Sequence, residues 1–422
     1  MNKLLVTLLL LLTVRLAYAQ KIVNNYDEAN VGTFALPDPL ALPGGGRITT
    51  AKQWEMQRAS WLRTFQETMY GYTPDKKLTL RFQVVETKHD ALNGQAIRKR
   101  INIYVTEYPT LLPIELVLYV PKAAKKPVPV FVSLNFVGNH GITAEKDIPL
   151  SERWMRNSPD TMSTPAVVKN KANEWARGVQ TRRWPLEAIL ERGYAVATAY
   201  YGDIEPDHRD GWKIGIRSML GDTAKANNWG AIGAWAWGLS RMLDYLETDK
   251  LVDAKKAISL GHSRLGKAAL WAGVQDTRFA MTISNDSGEG GATLTRRNFG
   301  ENVFDIHKNN SFWYCKNYFT YLGHPNDLPM DQHILLALVA PRPLYIASAS
   351  QDLFADPKGE FLSALNAEPV YKLYGKAGLG TTVWPRPGMA IGNTIGYHLR
   401  DGIHDILLYD WERFMNFADK NL

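Results

Sequence analysis

The sequence predicts a protein of the α/β class: a three-layer α/β/α sandwich with a mostly parallel central sheet and antiparallel N-terminal strands. Short apolar runs alternate with segments of helical periodicity along most of the chain, the pattern of a parallel sheet covered by helices. These runs also lack polar alternation. Residues 128–135 read Val-Pro-Val-Phe-Val-Ser-Leu-Asn, which predicts a strand buried on both faces. The chain has 422 residues, of which 45% are hydrophobic, enough for a large core.

The elements are predicted in chain order. Trp54, Trp61, Leu62 and Phe65 recur at helical spacing and predict a helix over residues 50–69. Three partly alternating segments, at 78–87, 97–106 and 114–119, predict an antiparallel meander. Further strands are predicted at 128–135, 194–200, 257–260, 279–285, 344–349 and 370–374. Further helices are predicted at 185–192, 229–246, 264–272, 357–365 and 405–420. Residues 20–422 are predicted to form one domain, with loop insertions near 140–184 and 375–403.

The N-terminus and the composition limit the class of protein. Residues 1–19 have the pattern of a signal peptide, with Lys3, an apolar stretch and the small-x-small site Ala17-Tyr18-Ala19. We therefore expect an exported bacterial protein, periplasmic or secreted, without a membrane span. A single cysteine excludes an intramolecular disulfide. Removing Lys3 and Arg15 lowers the formal charge from +7 to +5 (7 − 2), without a basic run that would indicate a nucleic-acid partner.

One stretch carries the strongest signal for chemistry. The apolar run at 257–260 ends at Gly261, Ser263 follows, and a helical segment begins at Arg264. A serine between a strand and a helix is the layout of the nucleophile elbow of α/β-hydrolases. Free N–H groups at the helix N-terminus lie near such a serine and can stabilise an oxyanion. Gly266 stands three positions after the serine rather than the usual two, and a Gly-Ser turn that caps a helix is the alternative interpretation.

A nucleophilic serine needs a histidine base and an acid that orients it, in the chain order serine, acid, histidine for this fold. His404 precedes the last predicted helix and is the predicted base, with His398 as its competitor. Asp286 and Asp352 both follow predicted strands, and the sequence leaves the choice between them open. No motif of paired cysteines or of the H-E-x-x-H kind predicts a metal site. We expect no metal and no cofactor.

At this stretch the chain resembles a known family. Gly261-His-Ser-Arg-Leu-Gly-Lys267 resembles the G-C-S-R-x-G-K motif of the glucuronoyl esterases, carbohydrate esterase family 15. Other motifs that resemble the family lie in the same order along the chain. They are Tyr26-Asp-Glu-Ala-Asn30, Leu134-Asn-Phe-Val-Gly-Asn-His140, Asn285-Asp-Ser-Gly-Glu-Gly-Gly291, Phe312-Trp-Tyr-Cys315, Ser350-Gln-Asp-Leu-Phe-Ala-Asp-Pro357 and Gly402-Ile-His404.

The resemblance implies a serine esterase that cleaves the ester between 4-O-methyl-glucuronic acid of glucuronoxylan and a lignin alcohol. It implies Ser263 as nucleophile, His404 as base and Arg264 as a contributor to the oxyanion hole. Lys267 would bind the hydroxyls of the uronate, and Glu301 would be a further sugar contact. We expect a monomer. An acetyl-xylan esterase or another carbohydrate esterase on the same fold is the alternative, and a glycan-binding protein without activity is a third hypothesis.

The chain departs from the family pattern at several positions. His262 precedes the serine where the motif has cysteine. Many relatives have glutamate at the position of Asp286, whereas some bacterial ones carry the acid at the position of Asp352. A tryptophan common two residues beyond that acid is Phe354 here, and Trp384 is a candidate to replace its sugar contact.

Overall fold

A computed structural model describes residues 24–42, 44–159 and 162–422, so the predicted signal peptide lies outside the described residues. One ten-stranded sheet organises the chain. Its strands are β1 (Leu80–Asp90), β2 (Ala96–Val105), β3 (Ile114–Pro121), β4 (Val128–Asn135), β5 (Ala195–Tyr200), β6 (Val252–His262), β7 (Met281–Asn285), β8 (Leu344–Ala349), β9 (Met389–Gly392) and β10 (Ile395–Arg400). The longer helices are α1 (Ala51–Phe65), α2 (Leu186–Glu191), α3 (Ala231–Leu246), α4 (Arg264–Gln275), α5 (Val303–Asn310), α6 (Gln332–Ala337), α7 (Pro357–Leu373) and α8 (Leu408–Asn421).

Shorter elements fill the connections. Single helical turns occupy Ala91–Gly94, Tyr201–Ile204 and Arg217–Leu220, and a π-helical turn, Gln66–Tyr70, continues α1. The 3-10 turns are Glu28–Asn30, Asn139–Gly141, Glu174–Ala176, Thr181–Arg183, Gly211–Lys213, Ser311–Trp313, Lys316–Tyr321, Pro325–Asp327 and Leu353–Ala355. A separate two-stranded hairpin pairs Val167–Val168 with Lys171–Ala172. It lies within the segment that the sequence assigns to a long loop.

The strand order in the sheet is β1-β2-β3-β5-β4-β6-β7-β8-β10-β9. β1, β2, β3 and β5 pair antiparallel, the pairs from β5 to β10 are parallel, and β9 pairs antiparallel with β10. Two hydrophobic clusters form the core. One includes α1, α3, α4, α6 and α7, and the other includes α2 and α8. Helices therefore cover both faces, and the predicted three-layer sandwich with antiparallel N-terminal strands is confirmed.

Local sequence accounts for the elements that were predicted well. β4 has the predicted bounds, and all its residues except Pro129 are buried. α1 begins after Thr50, whose hydroxyl accepts a hydrogen bond from Gln53 N while the Gln53 side chain reaches back to the main chain of Thr50. This capping box satisfies two N–H groups that have no partner inside the helix.

The strand predicted at 370–374 is wrong. Helix α7 continues through Pro369 to Leu373, and Val370 and Tyr371 lie on its buried side. These are residues typical of strands, and the proline suggested that a helix ends before them. Packing of this face against the core outweighs the local preference.

The last strands instead lie inside the segment predicted as a long loop at 375–400. β10 pairs parallel with β8 along its whole length, and all six of its residues are buried. It was missed because the glycines and prolines around it favour loops. His404 still lies between the last strand and the last helix, as predicted.

Within residues 24–42, 44–159 and 162–422, no helix has both the length and the apolar character that a membrane span needs. The single cysteine, Cys315, is buried, and its burial raises the pKa of the thiol to about 11.

Candidate active site

Ser263 occupies a sharp bend between β6 and α4. Its φ of 58° and ψ of −133° are unusual for a residue other than glycine, and such backbone strain is typical of functional sites. The bend needs small neighbours. A Cβ atom on Gly261 would lie 2.0 Å from the carbonyl oxygen of Leu265, and one on Gly266 would lie 3.0 Å from the carbonyl oxygen of Gly261. Gly266, which stands one position later than the second glycine of the usual motif, is therefore part of a tightly packed elbow.

Ser263 and His404 line one cavity of about 350 Å³. His404 Nδ1 lies 2.5 Å from Asp352 Oδ2. The Asp352 side chain is 6% exposed, whereas the His404 side chain is 40% exposed. A carboxylate at Nδ1 favours the tautomer that leaves Nε2 free to accept a proton.

Asp286, the other candidate acid, lies close to this pair without bonding to the histidine. Its Oδ1 accepts a hydrogen bond from Ala349 N at 2.7 Å. Its Oδ2 has no hydrogen-bond partner in the described chain and lies 3.9 Å from Nδ1 of His262. Burial, with the nearby Glu360 carboxylate, raises the pKa of Asp286 well above its usual value. The structure thus brings Asp352, and not Asp286, to the imidazole.

Asp286, Asp352 and His404 each contribute one atom to a group whose members all lie within 4.8 Å of one another. Such a group has the composition of a metal-ligand set. Within this group Asp352 Oδ2 bonds His404 Nδ1 and Asp286 Oδ1 accepts from Ala349 N, while Asp286 Oδ2 has no partner among the described residues. The hydrogen bonds describe a histidine and its orienting acid.

His262 packs beside the catalytic candidate. The centroids of its ring and the His404 ring are 4.5 Å apart, and its Nδ1 lies 2.7 Å from Asn285 Oδ1. Burial lowers the pKa of His262 well below its usual value. The residue that replaces the motif cysteine is therefore a neutral ring against one side of His404.

His398 lies in the core rather than in the cavity. Its Nε2 lies 2.8 Å from Asp410 Oδ1 and its Nδ1 lies 3.1 Å from the Tyr345 hydroxyl, so both nitrogens are occupied. Its side chain is fully buried. The structure leaves His404 as the histidine that shares a cavity with Ser263.

Arg264 is the first residue of α4, where main-chain N–H groups have no partner inside the helix. Its guanidinium forms an ion pair with the buried Asp207 and lies 5.2 Å from the ring centroid of Trp313. Trp313 Nε1 donates to the other oxygen of Asp207 at 2.8 Å. The Arg264 guanidinium thus contacts Asp207 and Trp313, while its Nε has no hydrogen-bond partner among the described residues.

Lys267 lies one helical turn after the serine and is buried. Its Nζ donates to the carbonyl oxygen of Glu289 at 2.5 Å and to Glu301 Oε2 at 3.2 Å. It also lies 5.3 Å from the ring centroid of Trp313. Burial raises the pKa of Glu301. Lys267, Glu301 and Trp313 all line the cavity, which therefore offers donors, an acceptor and an aromatic face to a sugar.

The two aromatic candidates differ in position. Phe354 lines the cavity and is 43% exposed. Trp384 is not among the residues that line it, and its Nε1 donates to the Tyr397 hydroxyl at 3.2 Å.

Sequence reasoning missed several residues of the site, and four of them offer polar or aromatic contacts. Trp313, Asn309 and Asn310 line the cavity, and Asp207 holds both Trp313 and Arg264. The only signals were the position of Trp313 in one family-like motif and that of Asp207 after a predicted strand. Neither indicated a contact with the elbow helix.

An α/β sandwich that delivers serine, acid and histidine in this order to one cavity is the construction of the α/β-hydrolases. The fold and the site therefore place this chain in that class.

Comparisons with known proteins identify the family to which this α/β-hydrolase belongs. A family model described as glucuronyl esterase of fungi matches residues 222–375. The chain is 46% identical over 409 residues to carbohydrate esterase MZ0003 from an unknown prokaryotic organism, covering 96% of this chain and 94% of that protein.

Comparisons with solved structures lead to the same family. A promiscuous CE15 esterase from a marine bacterial metagenome superposes with a TM-score of 0.87 at 45% identity, covering 95% of this chain and all of that one. A glucuronoyl esterase from Solibacter usitatus has a TM-score of 0.86 at 43% identity, covering 93% of this chain and 100% of its own. The chain belongs to carbohydrate esterase family 15, the glucuronoyl esterases.

Proposed function

We propose that this enzyme hydrolyses the ester between 4-O-methyl-glucuronic acid of glucuronoxylan and a lignin alcohol, through an acyl-enzyme intermediate. One observation carries the proposal: Ser263 and the His404–Asp352 pair share a cavity with Lys267 and Glu301. A serine, a base and its acid serve many esters. A buried ammonium beside a carboxylate adds the donors and acceptors that the hydroxyls of a uronate need.

The first step forms the acyl-enzyme. His404 Nε2 accepts the hydroxyl proton of Ser263 as Oγ attacks the C6 carbonyl carbon of the uronate ester. The main-chain N–H at the start of α4, at Arg264, donates to the oxyanion of the tetrahedral intermediate. Asp352 holds the ring and stabilises the imidazolium that forms. The intermediate then collapses, and His404 gives its proton to the departing alcohol oxygen.

The second step releases the acid. A water molecule transfers one proton to His404 and attacks the acyl carbon, and the second tetrahedral intermediate expels Ser263 Oγ, which takes the proton back from the imidazolium. The products are the free uronate on its xylan chain and the restored enzyme. Throughout both steps Lys267, Glu301 and Phe354 bind the sugar ring, and Trp313 closes one side of the cavity.

The test compares two serines of the same cavity on benzyl glucuronate. Ser263→Ala is expected to lower kcat by at least about 10⁴-fold, because no other group supplies the nucleophile. Ser287 also lines the cavity, but its hydroxyl donates to Glu360 at 3.1 Å, so Ser287→Ala is expected to cost less than about tenfold. Retained hydrolysis by folded Ser263→Ala, with its thermal unfolding unchanged, would exclude Ser263 as nucleophile.

The same assay separates the substrate classes. A uronate esterase hydrolyses methyl glucuronate faster than it releases acetate from acetylated xylan. Lys267→Ala is expected to lower the rate of methyl glucuronate hydrolysis and to leave the rate of acetate release unchanged. The opposite preference would favour the acetyl-xylan esterase alternative.

We also propose that the mature enzyme is exported, since residues 1–19 have the pattern of a signal peptide, and that it acts as a monomer.

A further inference from the structure

A second cavity lies beside the segment that carries Trp313. Its volume is about 450 Å³, and we call it the basic cavity. Five basic side chains line it, and none of the described residues that line it carries a carboxylate. These basic residues are Arg209, Arg217, Lys225, His307 and Lys316. The rings of Trp212, Phe312 and Phe319 line it as well. Such a lining favours an anionic ligand with flat faces that stack on aromatic rings.

Two of the cations are not neutralised by neighbours. Arg217 pairs with the buried Glu205, and Lys225 lies 3.3 Å from Asp222. Within the described ranges, Arg209 and Lys316 form no ion pair, and Lys316 Nζ donates only to the carbonyl oxygen of Thr223. Both side chains are exposed. They are therefore free to bind a carboxylate that arrives from solvent.

The basic cavity adjoins the active site along one stretch of chain. Asn309, Asn310 and Trp313 line the active-site cavity, whereas His307, Ser311 and Phe312 line the basic cavity. The two cavities therefore share this segment of the chain as part of their walls.

We propose that the basic cavity binds the xylan chain next to the ester that is cleaved, with Arg209 and Lys316 holding a neighbouring unesterified uronate. This inference rests on the proposed function, because on one glucuronoxylan chain one uronate branch can present the ester while a neighbouring branch presents a free carboxylate. The aromatic rings stack on the sugar faces, and the two cations bind the carboxylate. The cavity thus selects polymeric, acidic substrate over a single esterified sugar.

The kinetic test uses matched double variants. Arg209→Gln/Lys316→Gln removes the two unpaired cations, and Lys213→Gln/Lys308→Gln removes two exposed lysines of the same region that line neither cavity. On methyl-esterified glucuronoxylan, the first variant is expected to lose about three- to tenfold in kcat/KM, through KM, and the control less than about twofold. On methyl glucuronate, both retain the wild-type kcat/KM. Equal behaviour of the two variants on the polymer would overturn the inference and leave the proposed function intact.

The binding test removes turnover from the question. Ser263→Ala protein, with and without each double substitution, is titrated with unesterified glucuronoxylan, neutral xylohexaose and polygalacturonate. We expect the tightest binding to glucuronoxylan, weakened about three- to tenfold by Arg209→Gln/Lys316→Gln and by added salt. Equal affinity for xylohexaose, or for polygalacturonate with the same response to the substitutions, would overturn the assignment to acidic xylan. An enzyme that binds glucuronoxylan as expected but hydrolyses no glucuronate ester would refute the proposed function instead.

Discussion

Two histidines of the C-terminal region, six positions apart in the sequence (404 − 398), each pair with an aspartate, and their surroundings differ. His404 bonds Asp352 at 2.5 Å, and His398 bonds Asp410 at 2.8 Å. The His404 side chain is 40% exposed and lines the cavity with Ser263, whereas His398 is fully buried with its second nitrogen on Tyr345. The hydrogen bond to a carboxylate therefore does not define a base. In the proposed mechanism, the base is the histidine whose second nitrogen is free and that shares a cavity with Ser263.

The buried pair supports the exposed one. It joins β10 to α8, and the loop between these two elements carries His404. Arg400 reinforces this junction, because its guanidinium bonds Asp410 and the carbonyl oxygens of Ile403 and Asp405. Both ends of the loop are thus fixed in the core, and only its tip reaches the cavity.

The largest expected effect tests which carboxylate belongs to the exposed pair. Asp352→Asn is expected to lower kcat about 10³–10⁴-fold, because an amide does not hold the imidazole in the required tautomer. Asp286→Asn is expected to lower it by less than about tenfold, because an amide oxygen still accepts the hydrogen bond from Ala349 N. Turnover of methyl glucuronate by the two variants checks this. Small and equal losses would mean that neither acid orients His404.

The next effect separates stability from turnover. His398→Ala is expected to lower the free energy of unfolding by about 3 kcal/mol, because it leaves a cavity and removes two buried hydrogen bonds. Its kcat at 25 °C should stay near that of the wild type.

His404→Ala is the matched control, with turnover lost and stability nearly unchanged, because its side chain is partly exposed. Urea unfolding and ester hydrolysis on both variants give the comparison. A His398→Ala protein that is as stable as the wild type but inactive would break the distinction between the two pairs.

The smallest effect tests the claim that burial keeps a histidine neutral. His140 is fully buried, and this burial lowers its pKa to about 4. The histidine has a higher pKa in the unfolded chain, so the unfolded state binds the proton first as the pH falls. The stability that comes from burying neutral His140 is therefore present above about pH 6.5 and is lost toward pH 4. Between pH 7 and pH 5, the wild type should lose about 2 kcal/mol relative to His140→Gln. Urea unfolding of both proteins at the two pH values measures this, and parallel losses would contradict it.

Local sequence predicted the elements whose signal is local. β4 is a continuous apolar run, and its bounds were predicted to the residue. Residues 370–373 have strand propensity yet belong to α7, and β10 lies among glycines and prolines yet pairs along its full length with β8. In both cases contacts between distant segments decide the structure, and no window of sequence contains them.

The residues of the site also fall into two groups, those that local sequence predicted and those that it did not. Ser263 was found from a strand–turn–helix pattern and His404 from its place before the last helix. The choice between Asp286 and Asp352 depends on reach across the sheet edge, which spacing along the chain does not encode. Trp313 enters the cavity from a 3-10 turn that the sequence places far from the elbow, so its contact with Lys267 had no sequence signal.

The buried Cys315 has a practical consequence. Cys315 lines the basic cavity but is only 1% exposed, and burial raises the pKa of its thiol to about 11, which leaves it almost entirely protonated at neutral pH. A cysteine introduced at an exposed position such as Lys308 would react with a maleimide fluorophore, whereas the native thiol would not react. Site-specific labels for following polysaccharide capture in real time can therefore be attached without first removing the natural cysteine.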